Sequence, residues 1–322
     1  MIKNSYNQNR ILNKVVRSAL ENKVADMYKL NTEGQRLVLE SNSSLTLEYV
    51  EAHMHTVTKY WYEHIKNILL VVPPKSYNTV VDICCGSGFI TTHIMTNQLF
   101  AHCYAIDINS NQLLELKKIL SSENIGNVHL IKGDVQGLPF TDNSVDAVMG
   151  NSFLHHIPDN SILLREIYRV LKPGGVFCCT HEPSVSAGYL EDFPLGNIIR
   201  LLEIFHVKNL IKRLLRRPLN AEARRQIILS DIWLYNEENI MMLLRRAGFN
   251  EIVVTSRGFI STIVLNMVRS YWHLIHKQNI PANLSVNLLR VFDGADRILL
   301  KPFFPNDYFS SLQFNARKTS QR

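Results

Sequence analysis

The sequence predicts an α/β protein: a doubly wound, mostly parallel sheet of seven strands with an antiparallel edge strand. Three observations predict it. Short β-branched runs alternate with helix-like stretches from about residue 79 to 180, a glycine-rich corner follows the first run, and a Pro-Gly-Gly stop precedes the fifth. Strand, crossover helix and parallel strand, repeated, is the pattern that covers both faces of a sheet with helices.

The elements follow in order. Residues 1–70 read as a helical N-terminal arm or lid, ending at the Val71-Val72-Pro73-Pro74 run. Strands are expected at 79–84, 101–107, 127–132, 145–150 and 175–180, where β-branched residues concentrate. Ser110 is the expected cap of a helix that puts Leu113, Leu114, Leu116 and Ile119 on one face. Asn160 or Ser161 starts a second helix bearing Leu163, Leu164, Ile167, Val170 and Leu171, stopped by Lys172-Pro173-Gly174-Gly175. A helical insertion is expected at about 183–233, a helix at 237–247 ending on Gly248, and a strand at 251–256. A second helical cap spans about 259–296, and the aromatic run 303–318 supplies the last, antiparallel edge strand. Residues 71–322 thus form one domain with two caps.

Composition narrows the class. The chain has 322 residues, 46% hydrophobic and 20% charged, which suits an ordinary globular protein. No apolar run approaches the roughly 20 residues that cross a bilayer, and the N-terminus lacks a secretory signal. Lys3, Arg10, Lys14 and Arg17 without an acid fit a transit segment or an ordinary N-terminal helix; the helix and a cytoplasmic location are expected. Cys84, Cys85, Cys103, Cys178 and Cys179 sit in apolar runs without metal-ligand spacing, so they read as small buried packing residues and no metal is expected. Between Asn197 and Ile232 eight cations face three acids, which concentrates the basic excess in the insertion.

The corner VVDICCGSGF, residues 80–89, is the most informative stretch. A glycine turn after a parallel strand lies at the carboxyl edge of the sheet, where open α/β folds bind ligands. Gly86 and Gly88 let backbone approach a ligand, and the helix that follows aims free N–H groups at it. Asp107, 19 residues beyond Gly88, ends the next strand, where a carboxylate can accept both hydroxyls of a ribose. Asp134 stands at the following edge and could accept from an exocyclic amine, and Asp82 adds a third carboxylate before the turn. A nicotinamide-dependent oxidoreductase is the rival reading, but its fingerprint wants glycine where Thr91 stands.

These residues, with IKGDVQGLPF (131–140), SVDAVMGNSFLHHIPD (144–159) and LREIYRVLKPGGVF (164–177), resemble the class I S-adenosylmethionine-dependent methyltransferases. The small-molecule group typified by ubiquinone and menaquinone biosynthesis enzymes is the nearest in pattern, over about a hundred residues. The resemblance implies a Rossmann-like sheet and S-adenosylmethionine as cofactor. It implies that Cys84, Gly86, Ser87 and Gly88, after Asp82, hold the methionine part. Asp107 with Ile108 would hold the ribose, Asp134 with Val135 the adenine, and Asn151 would stand near the methionyl group. Cys84 departs from the family, which usually has glycine there.

Methyl transfer from a sulfonium is an in-line displacement in which positioning supplies much of the acceleration, and a base is needed only if the acceptor must lose a proton. His155, His156 and Glu182 are the candidate catalytic groups at the sheet edge, the histidines also suiting a structural role. Tyr60, Trp61, Tyr62, Trp233, Tyr235, Tyr271 and Trp272 read either as core or as an acceptor pocket. The insertion, both apolar and basic, suits a solvated cap, a peripheral membrane contact or a grip on an anionic acceptor. The expected acceptor is therefore a small apolar or amphiphilic anion resembling a quinone, isoprenoid or polyketide. A nucleic-acid methyltransferase using the basic insertion is the alternative, disfavoured because GNSFLHH lacks the Asn/Asp-Pro-Pro-aromatic signature.

Overall fold

The structure is a computed structural model and describes residues 78–157, 159–184, 234–276 and 281–319. The expected arm at 1–70 and nearly all of the expected insertion at 183–233 lie outside the described residues, with Tyr60, Trp61, Tyr62 and Trp233.

Seven strands form one sheet: β1 Thr79–Ile83, β2 His102–Asp107, β3 Val128–Lys132, β4 Val145–Asn151, β5 Leu171–Pro183, β6 Ile252–Arg257 and β7 Ser311–Arg317. Their order is β3-β2-β1-β4-β5-β7-β6. The pairs β1–β2, β2–β3, β1–β4 and β4–β5 are parallel, while β7 runs antiparallel to both β5 and β6. Successive strands step outward from β1 to β3 and then return past β1 to β4. This reversal opens a crevice at the carboxyl ends of β1 and β4, the place where such sheets hold ligands. The aromatic C-terminal run, expected as the edge strand, instead becomes β7 inside the sheet, slotted between β5 and β6, and β6 is the edge. Burial explains the placement: β7 has Leu312, Gln313, Phe314 and Ala316 covered, whereas β6 leaves Val253 in solvent.

The described helices are α1 Phe89–Thr96, α2 Ser110–Ser122, α3 Asn160–Val170, α4 Glu237–Ala247, α5 Ile260–His276 and α6 Ala282–Ala295. The cap of α2 sits one residue earlier than the expected Ser110, at Asn109, while α3 starts at Asn160 as expected, with Asp159 as its cap. Asn109 Oδ1 accepts the N–H of Asn111 at 2.9 Å, and Asp159 accepts the N–H of Ser161 at 2.8 Å. Asn and Asp hold the extended conformation of a cap while offering a side-chain oxygen to free N–H groups, so they outcompete the serine and asparagine beside them. Helix α4 carries Glu237 and Glu238 in its first turn and Arg245 and Arg246 in its last, matching the helix dipole, and ends at Gly248 with φ 106°.

Helices α3 and α4 cover one face of the sheet, burying Leu163, Leu164, Ile167 and Leu244 against Phe177, Phe249 and Phe314. The Phe177 and Phe314 rings meet edge to face at 5.4 Å. Each such ring contributes about 1.5–3 kcal/mol through burial. Residues Ile90, Ile94, Met149 and Cys178 form a second cluster, and Leu113, Leu116 and Leu120 of α2 a third with Cys85. All five cysteines are free thiols, and four are buried as packing residues.

Candidate active site

The corner after β1 is built from three left-handed residues. Cys84, Gly86 and Gly88 have φ of 50°, 52° and 88°. Cys84 thus adopts the backbone in which glycine is ordinarily found, a conformation costing a side-chain-bearing residue roughly 1–2 kcal/mol. Gly88 allows a close approach: a Cβ there would lie 2.1 Å from Leu116 Cδ1, so α2 can press against the start of α1. Asp82 is buried, and its Oδ2 accepts from both the N–H (3.0 Å) and the hydroxyl (2.6 Å) of Thr91. The threonine that stands where a nicotinamide fingerprint would want glycine therefore ties α1 to β1. Burial pushes the Asp82 carboxyl up to about 7, with the Thr91 bonds opposing the rise.

Asp107 closes β2. Its Oδ2 accepts the N–H of Gly86 at 2.8 Å and its Oδ1 the N–H of Asn109 at 2.8 Å. One backbone bond to each oxygen aims the carboxylate and leaves further lone-pair capacity on both. Burial raises its pKa, and the Asn109 and Gly86 N–H groups oppose the rise. Ile108 beside it is exposed, Ser87 half-buried between the glycines. Past β3, Asp134 is exposed and accepts the N–H of Gln136 at 2.9 Å, while Val135 is buried.

The loop after Asp134 is clamped from α3 by two residues that sequence reasoning missed. Glu166 Oε2 accepts the N–H of Leu138 at 3.0 Å. Arg169 donates to the carbonyls of Phe140 (2.7 Å) and Leu138 (3.0 Å), to Asp142 (2.8 Å) and to Glu166 (2.8 Å). The available signal was a Glu–Arg pair three residues apart on the polar side of an amphipathic helix, which reads as an ordinary surface pair until the loop is placed against it.

At the end of β4, Asn151 Oδ1 accepts from the Thr180 hydroxyl at 2.8 Å and lies 2.9 Å from His181 Nδ1. Glu182 corrects an expectation. Offered by the sequence as a base, it is fully buried, and its Oε1 accepts the N–H groups of Phe153 (2.8 Å) and Leu154 (2.9 Å). Its Oε2 accepts the N–H of His155 at 3.2 Å and stands 3.0 Å from His155 Nδ1. Burial alone would raise this carboxyl, but His155 and the backbone donors outweigh it and hold the pKa below its usual value. An enclosed, multiply bonded carboxylate cannot reach an acceptor; it anchors the turn 153–156. His155 is likewise buried, its ring 3.8 Å from that of half-buried His156, the more accessible of the two. Tyr235 proves to be core: its hydroxyl donates to the Leu154 carbonyl at 3.1 Å. Tyr271 is exposed, and Trp272 lies against His276 with centroids 4.3 Å apart.

The corner therefore presents carboxylate acceptors at the ends of neighbouring strands, suited to hydroxyl and amine donors and to a cation. No group of His, Cys, Asp and Glu among the described residues could hold a metal ion.

Residues 81–179 match the family described as methyltransferase domain. A demethylmenaquinone methyltransferase of Staphylococcus haemolyticus is 28% identical over 201 residues, covering 62% of this chain and 78% of the relative. One of Listeria monocytogenes is 36% identical over 110 residues, covering 33% of this chain and 46% of its own length. The phosphoethanolamine N-methyltransferase 2 of Haemonchus contortus, solved with S-adenosyl-L-methionine, superposes with a TM-score of 0.52 at 19% identity, over 81% of this chain and 53% of that one. That likeness is one of fold. The chain spans about half the length of the listerial and nematode proteins.

Proposed function

We propose that the chain is a class I, S-adenosylmethionine-dependent methyltransferase built around the methyltransferase domain matched at residues 81–179, and that its acceptor is a small apolar or amphiphilic anion, of quinone, isoprenoid or polyketide type. The single observation that carries the cofactor side is Asp107, aimed by Gly86 and Asn109 at the mouth of the glycine corner. The residues present fit the group. Their chemistry is acceptor-rich where ribose hydroxyls and an exocyclic amine would donate, and Gly86 leaves room, since a Cβ there would meet nothing nearer than Gln112 Oε1 at 3.8 Å.

When bound, the sulfonium supplies a methyl group with a good leaving group already in place. The protein's own residues supply position. Cys84, Gly86, Ser87 and Gly88 give the methionine part backbone access, with Asp82 fixing their geometry through Thr91. Asp107 with Ile108 orients the ribose, and Asp134 with Val135 the base. Asn151 lines the methionyl side. Held at one geometry, such groups can contribute on the order of 7–11 kcal/mol by proximity. Where an acceptor must lose a proton, half-buried His156 is the candidate of the three to take it, Glu182 and His155 both being buried and closed on each other.

Support for the acceptor comes from the curated demethylmenaquinone methyltransferase relatives and from the insertion that joins apolar and basic residues. Neither a nucleic-acid acceptor nor a nicotinamide cofactor is favoured. The test is transfer of labelled methyl from S-adenosylmethionine across panels of demethylquinols, prenyl diphosphates, fatty acids, polar metabolites and polynucleotides. Turnover with an amphiphilic panel is the expected result; turnover confined to polar metabolites or polynucleotides would overturn the reading.

A further inference from the structure

The C-terminal cap ends in a tip of unusual chemistry. Helix α6 runs into a π-helical turn, Asp296–Leu300, and the chain then folds back on itself: the N–H groups of Phe303 and Phe304 bond the Leu300 carbonyl at 2.9 and 3.0 Å. On this compact knob Ile298 is 66% exposed, Leu299 60% and Phe303 79%, with Phe304 and Val291 exposed beside them. Large apolar side chains left in water are ordinary singly but informative when clustered.

The charges are segregated. The two acids on this stretch turn inward: Asp293 pairs with Arg257 at 2.7 Å, and Asp296 accepts the N–H groups of Phe259, Ile260 and Ser261 at 2.8–3.1 Å. Arg290 and Arg297 face solvent. Outward apolar and cationic groups with inward acids make a surface complementary to an apolar layer beneath negative charge.

Topology sets where the knob points. The last residues of β5 and β6, Pro183 and Arg257, both pair with Ser311, the first of β7. Helix α5 leaves this carboxyl edge of the sheet, and Asp296 ties the end of α6 back to its start. The knob therefore rises from the same edge of the sheet as the glycine corner.

We propose that the knob 297–304 docks the protein on an anionic lipid surface, inserting Ile298, Leu299 and Phe303 at the headgroup boundary with Arg290 and Arg297 on lipid phosphates. Insertion of apolar side chains a few ångströms deep, reinforced by cations, is how a protein lies on a bilayer without crossing it. Lipid is favoured over a polynucleotide because a phosphate backbone would engage the arginines yet leave Ile298 and Leu299 in water. The carboxyl edge would then face the bilayer, where an amphiphilic acceptor dissolves.

The test is flotation of the full chain with vesicles of equal parts phosphatidylcholine and phosphatidylglycerol, against phosphatidylcholine alone, with no acceptor present. Its failure therefore leaves the acceptor reading standing. Binding is expected to the anionic vesicles and to weaken with salt. The double variant L299S/F303S should lower the partition coefficient by about tenfold or more, and R297Q by about fivefold. A second variant, F303W, should show a blue-shifted emission on vesicle addition and quenching by brominated lipid. Three results would overturn the proposal: anionic-vesicle binding unchanged in L299S/F303S; binding to polynucleotide at low salt with none to vesicles; or a F303W emission already blue-shifted in buffer, which would mean that the chain's own residues or another protein copy cover the knob.

Discussion

Replacing Arg169 by methionine should weaken cofactor binding from a position that touches no ligand. The guanidinium holds the Phe140 and Leu138 carbonyls at 2.7 and 3.0 Å, and these fix the loop that carries Asp134 and Val135. Two bonds at about 1 kcal/mol each give roughly 2 kcal/mol. The Arg169 side chain is 31% exposed, so water replaces part of the loss, and its contacts with Asp142 and Glu166 add little as partly exposed ion pairs. If the loop must be reordered on binding, 2 kcal/mol corresponds to about a thirtyfold weaker affinity as the upper limit. Arg169→Lys should recover only a fraction, because one ammonium cannot reproduce the planar fork that spans two carbonyls. Calorimetric titration with S-adenosylhomocysteine, beside thermal melts of the free protein, reads both quantities. An affinity within twofold of the wild type alongside a lowered Tm would refute the positioning role and leave only a structural one.

Three further outcomes follow from the site. Glu182→Gln puts amide hydrogens where backbone N–H groups now point, and should cost about 3 kcal/mol in denaturant unfolding. Activity surviving in the folded fraction, with an unaltered pH profile, would agree with an anchor; loss of one limb of the pH–rate profile would restore Glu182 as a base. Gly88→Ala places a Cβ 2.1 Å from Leu116 Cδ1 at φ 88° and should destabilise by more than 2 kcal/mol, whereas Cys84→Gly relieves a left-handed side chain and should stay within about 1 kcal/mol of the wild type; equal effects on chemical denaturation midpoints would contradict the corner geometry. Burial raises the folded pKa of Asp82 from 3.8 to about 7, so the folded state holds that proton more tightly than the unfolded chain. The stability it contributes is fully present below about pH 4 and lost as pH rises through 7. Asp82→Asn keeps an acceptor for Thr91 without titrating, so wild-type stability measured relative to this variant should fall by up to about 4 kcal/mol over that window; parallel stability–pH curves would show that Asp82 keeps an ordinary pKa.

Local chemistry made the sheet legible. β-Branched runs and a left-handed glycine corner are signals that a strand or turn carries within a few residues, and the strands at Thr79–Ile83, His102–Asp107 and Val128–Lys132 fall within one residue of their expected bounds, whereas β5 starts at Leu171, expected on the helix, and runs through the Pro-Gly-Gly expected to precede it. Asp107 was legible for the same reason: the carboxyl end of the second strand is a place in the chain before it is a place in space. The cap of α2 was less so, because Asn109 and Ser110 are both competent caps and the choice turns on which backbone is extended.

By itself, then, the sequence determined the α/β alternation, the strand ends that carry the acids, and a corner able to approach a ligand, since each depends on residues adjacent in the chain. Tertiary structure alone decided which polar groups are consumed inside. Glu182 reads as a base until the N–H groups of Phe153, Leu154 and His155, nearly thirty residues earlier in the chain, are folded onto it. Arg169 reads as a surface charge until the Leu138 and Phe140 carbonyls meet it. Asp293 and Asp296 turn inward while Ile298, Leu299 and Phe303 turn outward, for the same physical reason: a side chain's partners are set by which distant segments pack beside it, and no local pattern records them.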